Sequence, residues 1–61
     1  MNVKDEFKKK YNFHQIKSVS TYYVDSTDTN ILEVYTSDPR IWVDLPEKFQ
    51  GYYVNMRVIN Y

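Results

Sequence analysis

Among 61 residues the chain has no cysteine, one histidine, one glycine and two prolines. Without cysteine there is no disulfide and no thiolate metal site, and a single histidine leaves too few ligands for structural zinc. One glycine excludes the glycine-rich loops that cradle phosphates. No run of 18 apolar residues occurs, so the sequence holds no candidate transmembrane helix. The opening residues 1–6 lack the apolar stretch and small-residue cleavage site of a signal peptide, so a cytoplasmic protein is expected. An excess of one charge is missing too: eight basic and eight acidic side chains cancel. That balance argues against a basic nucleic-acid coat and against an acidic DNA mimic. What is present is apolar surface, 43% hydrophobic and 18% aromatic, well above a disordered chain. The expectation is a single small domain over residues 1–61. A chain this short buries only about 60% of the surface its unfolded form exposes, so its stability is slim and self-association would help it.

Charge is unevenly placed. Residues 1–17 carry five lysines against two acids, and residues 18–61 carry three bases against six acids. The early segment also reads as the one good helix, over residues 2–12. Val3, Phe7 and Tyr11 recur at i, i+4 and i+8 as a narrow apolar stripe. Asn2 suits the N-cap, with Asp5 three positions on. Asp5 to Lys9 and Glu6 to Lys10 are acid-to-base i,i+4 pairs in the better orientation. Asn12 suits a left-handed residue after the helix, with Phe13 folding back.

Beyond residue 15 the apolar period changes to two. Strands are predicted at about 18–24, 31–36, 41–45 and 52–60, rich in β-branched and aromatic residues. Ile16 falls out of phase with Val19, Thr21 and Tyr23, which a bulge near Ser18 would repair. Asp25 to Asn30 is a polar turn. Pro46 to Gln50 reads as one helical turn with Gly51 at its C-cap. These elements predict an α+β fold: one N-terminal helix on a three- to four-stranded, mainly antiparallel sheet. The covered face would hold Val19, Leu32, Val34, Val54, Met56 and Val58, and Leu45 and Phe49 would close one end. A small SH3-like or OB-like barrel is the alternative, since short strands curl readily.

The residues Ile16…Val19, Ile31-Leu-Glu-Val34 and Leu45-Pro46…Gly51-Tyr-Tyr-Val54 follow one another in a recognisable order. This pattern resembles small, mostly uncharacterised bacterial αβ modules, some of which precede trypsin-like peptidase domains. The resemblance spans residues 16–60. It departs from the pattern in the first strand, where Ser18 and Ser20 stand in place of the usual glycines. The resemblance implies the fold and brings no catalytic residues.

Chemistry is sparse in the sequence. His14 has no nucleophile that can be tied to it, and it reads as an exposed residue after a helix C-terminus. Asp25, Asp28 and Asn30 lack the further ligands and glycine turn of a calcium loop. Asp38, Asp44 and Glu47 surround Trp42, but a chain of this size scarcely builds a cleft around a carboxylate pair. Consecutive lysines at 8, 9 and 10 point in different directions around a helix and read as a solvated face. No catalytic residue, metal site or cofactor is therefore expected, and the protein reads as no enzyme.

Aromatic residues are the unusual feature: seven tyrosines, three phenylalanines and one tryptophan. One helix can cover only one sheet face. Strand phase places Tyr35, Tyr53 and Trp42 on the other, with Arg57, Ile59 and Tyr22. Tyr, Trp and Arg are the types enriched at interaction hot spots, and monomers seldom leave large apolar patches bare. The expected function is a non-enzymatic interaction module that binds a protein partner or itself. Its contacts would be Tyr35, Trp42, Tyr53, Arg57 and Tyr61, on the aromatic face or on an edge strand at 41–45. Small size and abundant Asn, Ile and Lys would suit an inhibitor encoded by a phage or mobile element. The alternative is a single-stranded nucleic-acid binder that stacks bases on the sheet aromatics.

Overall fold

The structure, a computed structural model, describes residues 2–59. Helix α1 covers Val3–Lys10. Asn2 caps it, its Oδ1 accepting the Asp5 N–H at 3.0 Å, while Lys8, Lys9 and Lys10 occupy the last turn, where the helix dipole favours cations. The exit differs from expectation, because Asn12 has no positive φ. Instead Tyr11 N–H closes on the Phe7 carbonyl at 2.8 Å and Phe13 N–H on the Tyr11 carbonyl at 2.9 Å. A three-residue turn centred on Asn12 therefore ends the helix, and the chain drops straight into the sheet.

Four strands follow: β1 Ile16–Val24, β2 Thr29–Thr36, β3 Lys48–Phe49 and β4 Tyr52–Val58. Their order across the sheet is β1-β2-β4-β3. β1–β2 and β3–β4 are antiparallel and β2–β4 is parallel, so the sheet is mixed. β1 and β3 are its free edges, and the sheet is not closed into a barrel. The bulge needed to bring Ile16 into phase is present, as a register shift between Ile16 and Ser18.

Residues 39–50 correct the expected elements. The alternating stretch 41–45 is no strand, since Pro39–Asp44 forms a 3₁₀ helix. Asp38 and Pro39 explain it: the Asp38 carboxylate accepts the Arg40 N–H at 3.0 Å, and the proline φ is already helical. Ile41 in the helix and Leu45 at its C-terminal end both face inward, whereas Val43 is 85% exposed. The expected helical turn at 46–50 is also absent. Lys48–Phe49 pairs with β4 through a two-residue turn in which Gln50 (φ 51°) and Gly51 (φ 83°) are both left-handed. That is the geometry whose twist matches an antiparallel hairpin, and it places the chain's one glycine where positive φ is needed.

The core lies between α1 and one sheet face. Phe7, Val19, Leu32, Val34, Ile41 and Val54 are buried, with Val3, Tyr11, Ile16, Leu45, Phe49, Tyr52 and Met56 packed around them. Phe7 stacks on Tyr11 with ring centroids 4.8 Å apart and meets the Phe49 edge at 5.2 Å. Val58, expected inside, is 45% exposed. An eight-residue helix is only about 12 Å long and does not cover the end of β4. Buried Thr36 joins two loops to the core: its hydroxyl donates to the Gln15 carbonyl at 2.8 Å and accepts the Asp38 N–H at 3.1 Å.

Candidate functional site

The face without a helix is built from alternate residues of the strands. Register sets them in rows: Tyr22–Ile31–Tyr53–Lys48, then Ser20–Glu33–Asn55, then Ser18–Tyr35–Arg57. Glu33 sits at the centre. Its side chain is only 5% exposed, although no helix lies over it. The neighbours that close over it are also its donors. Tyr35 hydroxyl donates to Oε1 at 2.7 Å and Asn55 Nδ2 to Oε2 at 2.9 Å. Tyr22 hydroxyl reaches Oε2 at 3.5 Å, and Arg57 Nε lies 3.4 Å from Oε1.

Burial pushes the Glu33 carboxyl upward, but the hydrogen bonds from Tyr35 and Asn55 and the charge of Arg57 outweigh it and hold it below its ordinary value. At neutral pH Glu33 is therefore an ionised acceptor with every donor supplied by side chains beside it. It has no proton to give, and its lone pairs are engaged. Its effect is positional, because it pins Tyr22, Tyr35, Asn55 and Arg57 in one arrangement. Arg57 keeps 66% of its side chain in solvent. At the far end of the face Lys48 Nζ lies 4.8 Å from the centroid of the half-exposed Tyr53 ring, within cation–π range.

Of the residues picked from sequence, Tyr35, Tyr53 and Arg57 do come together on this face, with Tyr22. Trp42 does not belong to it by strand phase. It arrives on the 3₁₀ helix, 46% exposed, beside β4, where it lines a shallow cavity of about 200 Å³ with Asn55 and Met56. Tyr61 lies outside the described residues. Strand phase puts Glu33 and Asn55 on this face too, but sequence reasoning did not name them as site residues, because their importance depends on which residue faces which across three strands. An acid between Ile31 and Tyr35 in a strand was the available signal, since an acidic side chain on an aromatic row needs a cation opposite.

Two of the remaining acids have local uses. Asp38 is paired to Arg40 through two 2.9 Å contacts, which hold its carboxyl below the usual range. Tyr23 hydroxyl donates to Asp28 Oδ1, a bond that raises the phenol pKa, helped by slight desolvation. Among the described residues no group of three or more His, Cys, Asp or Glu is placed to hold a metal ion, and no helix is long and apolar enough to cross a membrane.

The fold and this face define a small α+β domain with an aromatic, charge-pinned sheet surface. Comparison of the chain with protein-family models, with curated proteins and with solved structures finds no match.

Proposed function

We propose that this chain is a non-enzymatic protein-interaction module whose contact surface is the helix-free sheet face. The observation that carries the reading is buried Glu33. A carboxylate with four donors closed over it fixes Tyr22, Tyr35 and Arg57 before any partner arrives. Side chains held in advance lose less rotamer freedom on binding, and each rotamer-rich side chain so fixed saves about 0.5–1.5 kcal/mol. Tyr22, Tyr35 and Tyr53 serve as ring anchors and Arg57 as the charged contact, with Trp42 at the margin. The partner is a protein presenting an apolar patch with a carboxylate placed to meet the open side of Arg57. A cytoplasmic location accords with a chain that uses no cysteine.

Single-stranded nucleic acid has less support. Lys48 already occupies a face of the Tyr53 ring, and an ionised carboxylate lies at the centre of the platform, where phosphates would be repelled. Pulldown from the native host, with the captured protein then titrated against Tyr53→Ala, Trp42→Ala and Arg57→Ala, tests the reading. Loss of about tenfold or more in affinity for Tyr53→Ala, in a folded variant, supports it. Unchanged affinity for both Tyr53→Ala and Arg57→Ala removes it. A steep fall of affinity with salt for an oligonucleotide would favour the competing reading.

A further inference from the structure

The free edge of β1 carries an observation independent of the outer face. Ile59 N–H donates to the Thr36 carbonyl at 2.9 Å, so Thr36 points its backbone groups at β4. Strand alternation then turns Tyr35, Glu33, Ile31 and Thr29 toward β1. Their register partners Ser18, Ser20, Tyr22 and Val24 point back at them. Val19, Thr21 and Tyr23 therefore aim their N–H and C=O groups away from the sheet, at an edge with no neighbouring strand. No backbone partner for these groups occurs among the described residues.

Edge strands are ordinarily blunted by charge, proline or a bulge. Here the bulge and Lys17 stand at one end only, and residues 18–24 (Ser-Val-Ser-Thr-Tyr-Tyr-Val) carry no charge, no proline and no glycine. A formal net charge of zero removes the general repulsion between copies.

We propose that β1 pairs antiparallel with β1 of a second copy of this chain, about a two-fold axis through Thr21. In that register Thr21 faces Thr21 of the second copy, and Val19 faces Tyr23 of the second copy. All are outward-pointing, so the seam makes about six main-chain hydrogen bonds. The same register sets Lys17 opposite Asp25 of the second copy, twice by symmetry, and both are exposed at the strand ends. The charge complement selects this register over neighbouring ones. Thr–Thr and aromatic–β-branched neighbours are favourable cross-strand pairs. A two-fold perpendicular to the sheet keeps both helices on one side. The two tyrosine faces then join into one surface, with Tyr22 beside Ser20 of the second copy.

Sedimentation equilibrium between ~1 µM and ~1 mM measures the mass. The expected result is twice the chain mass for the native sequence and a single chain mass for Thr21→Pro. The Thr21 N–H faces the free edge, so proline there removes no β2 bond and leaves the far-UV circular dichroism unchanged. Lys17→Glu and Asp25→Lys should each weaken the dimer by up to about tenfold. Mixing these two variants should restore it, because both strand-end pairs become attractive in the heterodimer. Amide exchange at Val19, Thr21 and Tyr23 should slow as concentration rises.

A single chain mass throughout, with those amides exchanging fast beside slow Ser20 and Tyr22, overturns the proposal. So does a dimer that survives Thr21→Pro, or a native monomer whose Thr21 edge instead takes up a strand of another protein. Tyr53→Ala leaves the seam intact, so failure of the outer-face reading and failure of this one are separable.

Discussion

The two faces of the sheet hold their side chains in opposite ways. On the helix side Phe7, Leu32 and Val34 are fully buried, and their packing is apolar contact with α1. On the other side Glu33 is nearly as buried, yet what covers it is a ring of its own donors. The first arrangement stabilises the fold, since removing apolar area from water is the main favourable term. The second contributes less to folding, because the cost of burying a charge offsets much of what its partners return. What it contributes is order in the side chains that face solvent. The outer face is thus ordered by a polar network and the covered face by apolar packing.

Phe7→Ala attacks the covered face and should have the largest effect. It empties the contact between Tyr11 and Phe49, at a cost of about 3–5 kcal/mol. Since small domains have little stability to spare, the chain should lose its cooperative thermal transition as followed by circular dichroism. A variant that still melts cooperatively near the native temperature would mean that α1 is dispensable. Glu33→Ala attacks the outer face and should cost about 1–3 kcal/mol. The fold should persist while the Tyr22 and Tyr35 ring resonances collapse toward random-coil values in nuclear magnetic resonance spectra.

The contrast also has a pH signature. Glu33 has a native pKa below its ordinary value of 4.5. Its share of stability is complete above that value and is lost as pH falls through the depressed native one. Urea midpoints taken from pH 6 down toward pH 3 should therefore fall for the native chain. For Glu33→Gln they should start lower at pH 6 and fall less. Equal slopes for the two proteins would show that Glu33 is not the group titrating.

Thr36→Val probes the polar group buried on the apolar side. It strands the Gln15 carbonyl and the Asp38 N–H and should cost about 1–2 kcal/mol by denaturant titration. The smallest effect is expected at the β3–β4 turn. Gln50→Asn makes the favoured Asn-Gly pair at two left-handed positions and should stabilise by about 0.5 kcal/mol.

Much of this could be read along the chain because it rests on neighbours in sequence. The i, i+4 apolar stripe at Val3, Phe7 and Tyr11, the Asn2 cap and the phase error at Ile16 are local signals. The bulge appears where they predict, and the helix forms from the expected start but ends at Lys10, two residues early. The stretch 41–45 misled, because its alternation of apolar residues reads as a strand while only Ile41 and Leu45 of it turn inward, and the deciding signal was Asp38-Pro39 just before it. Tyr35, Tyr53 and Arg57 were placed on one face by strand phase alone. Trp42 was misplaced for the same reason that 41–45 was.

By itself the sequence determined α1, the three longer strands, the helix-covered face and the surplus of rings that one short helix cannot shield, since period and capping are written residue by residue. Tertiary structure alone decided that β4 runs parallel beside β2, which brings Asn55 and Arg57 to Glu33. Which strands become neighbours depends on how separated segments share one core, and no local pattern encodes it.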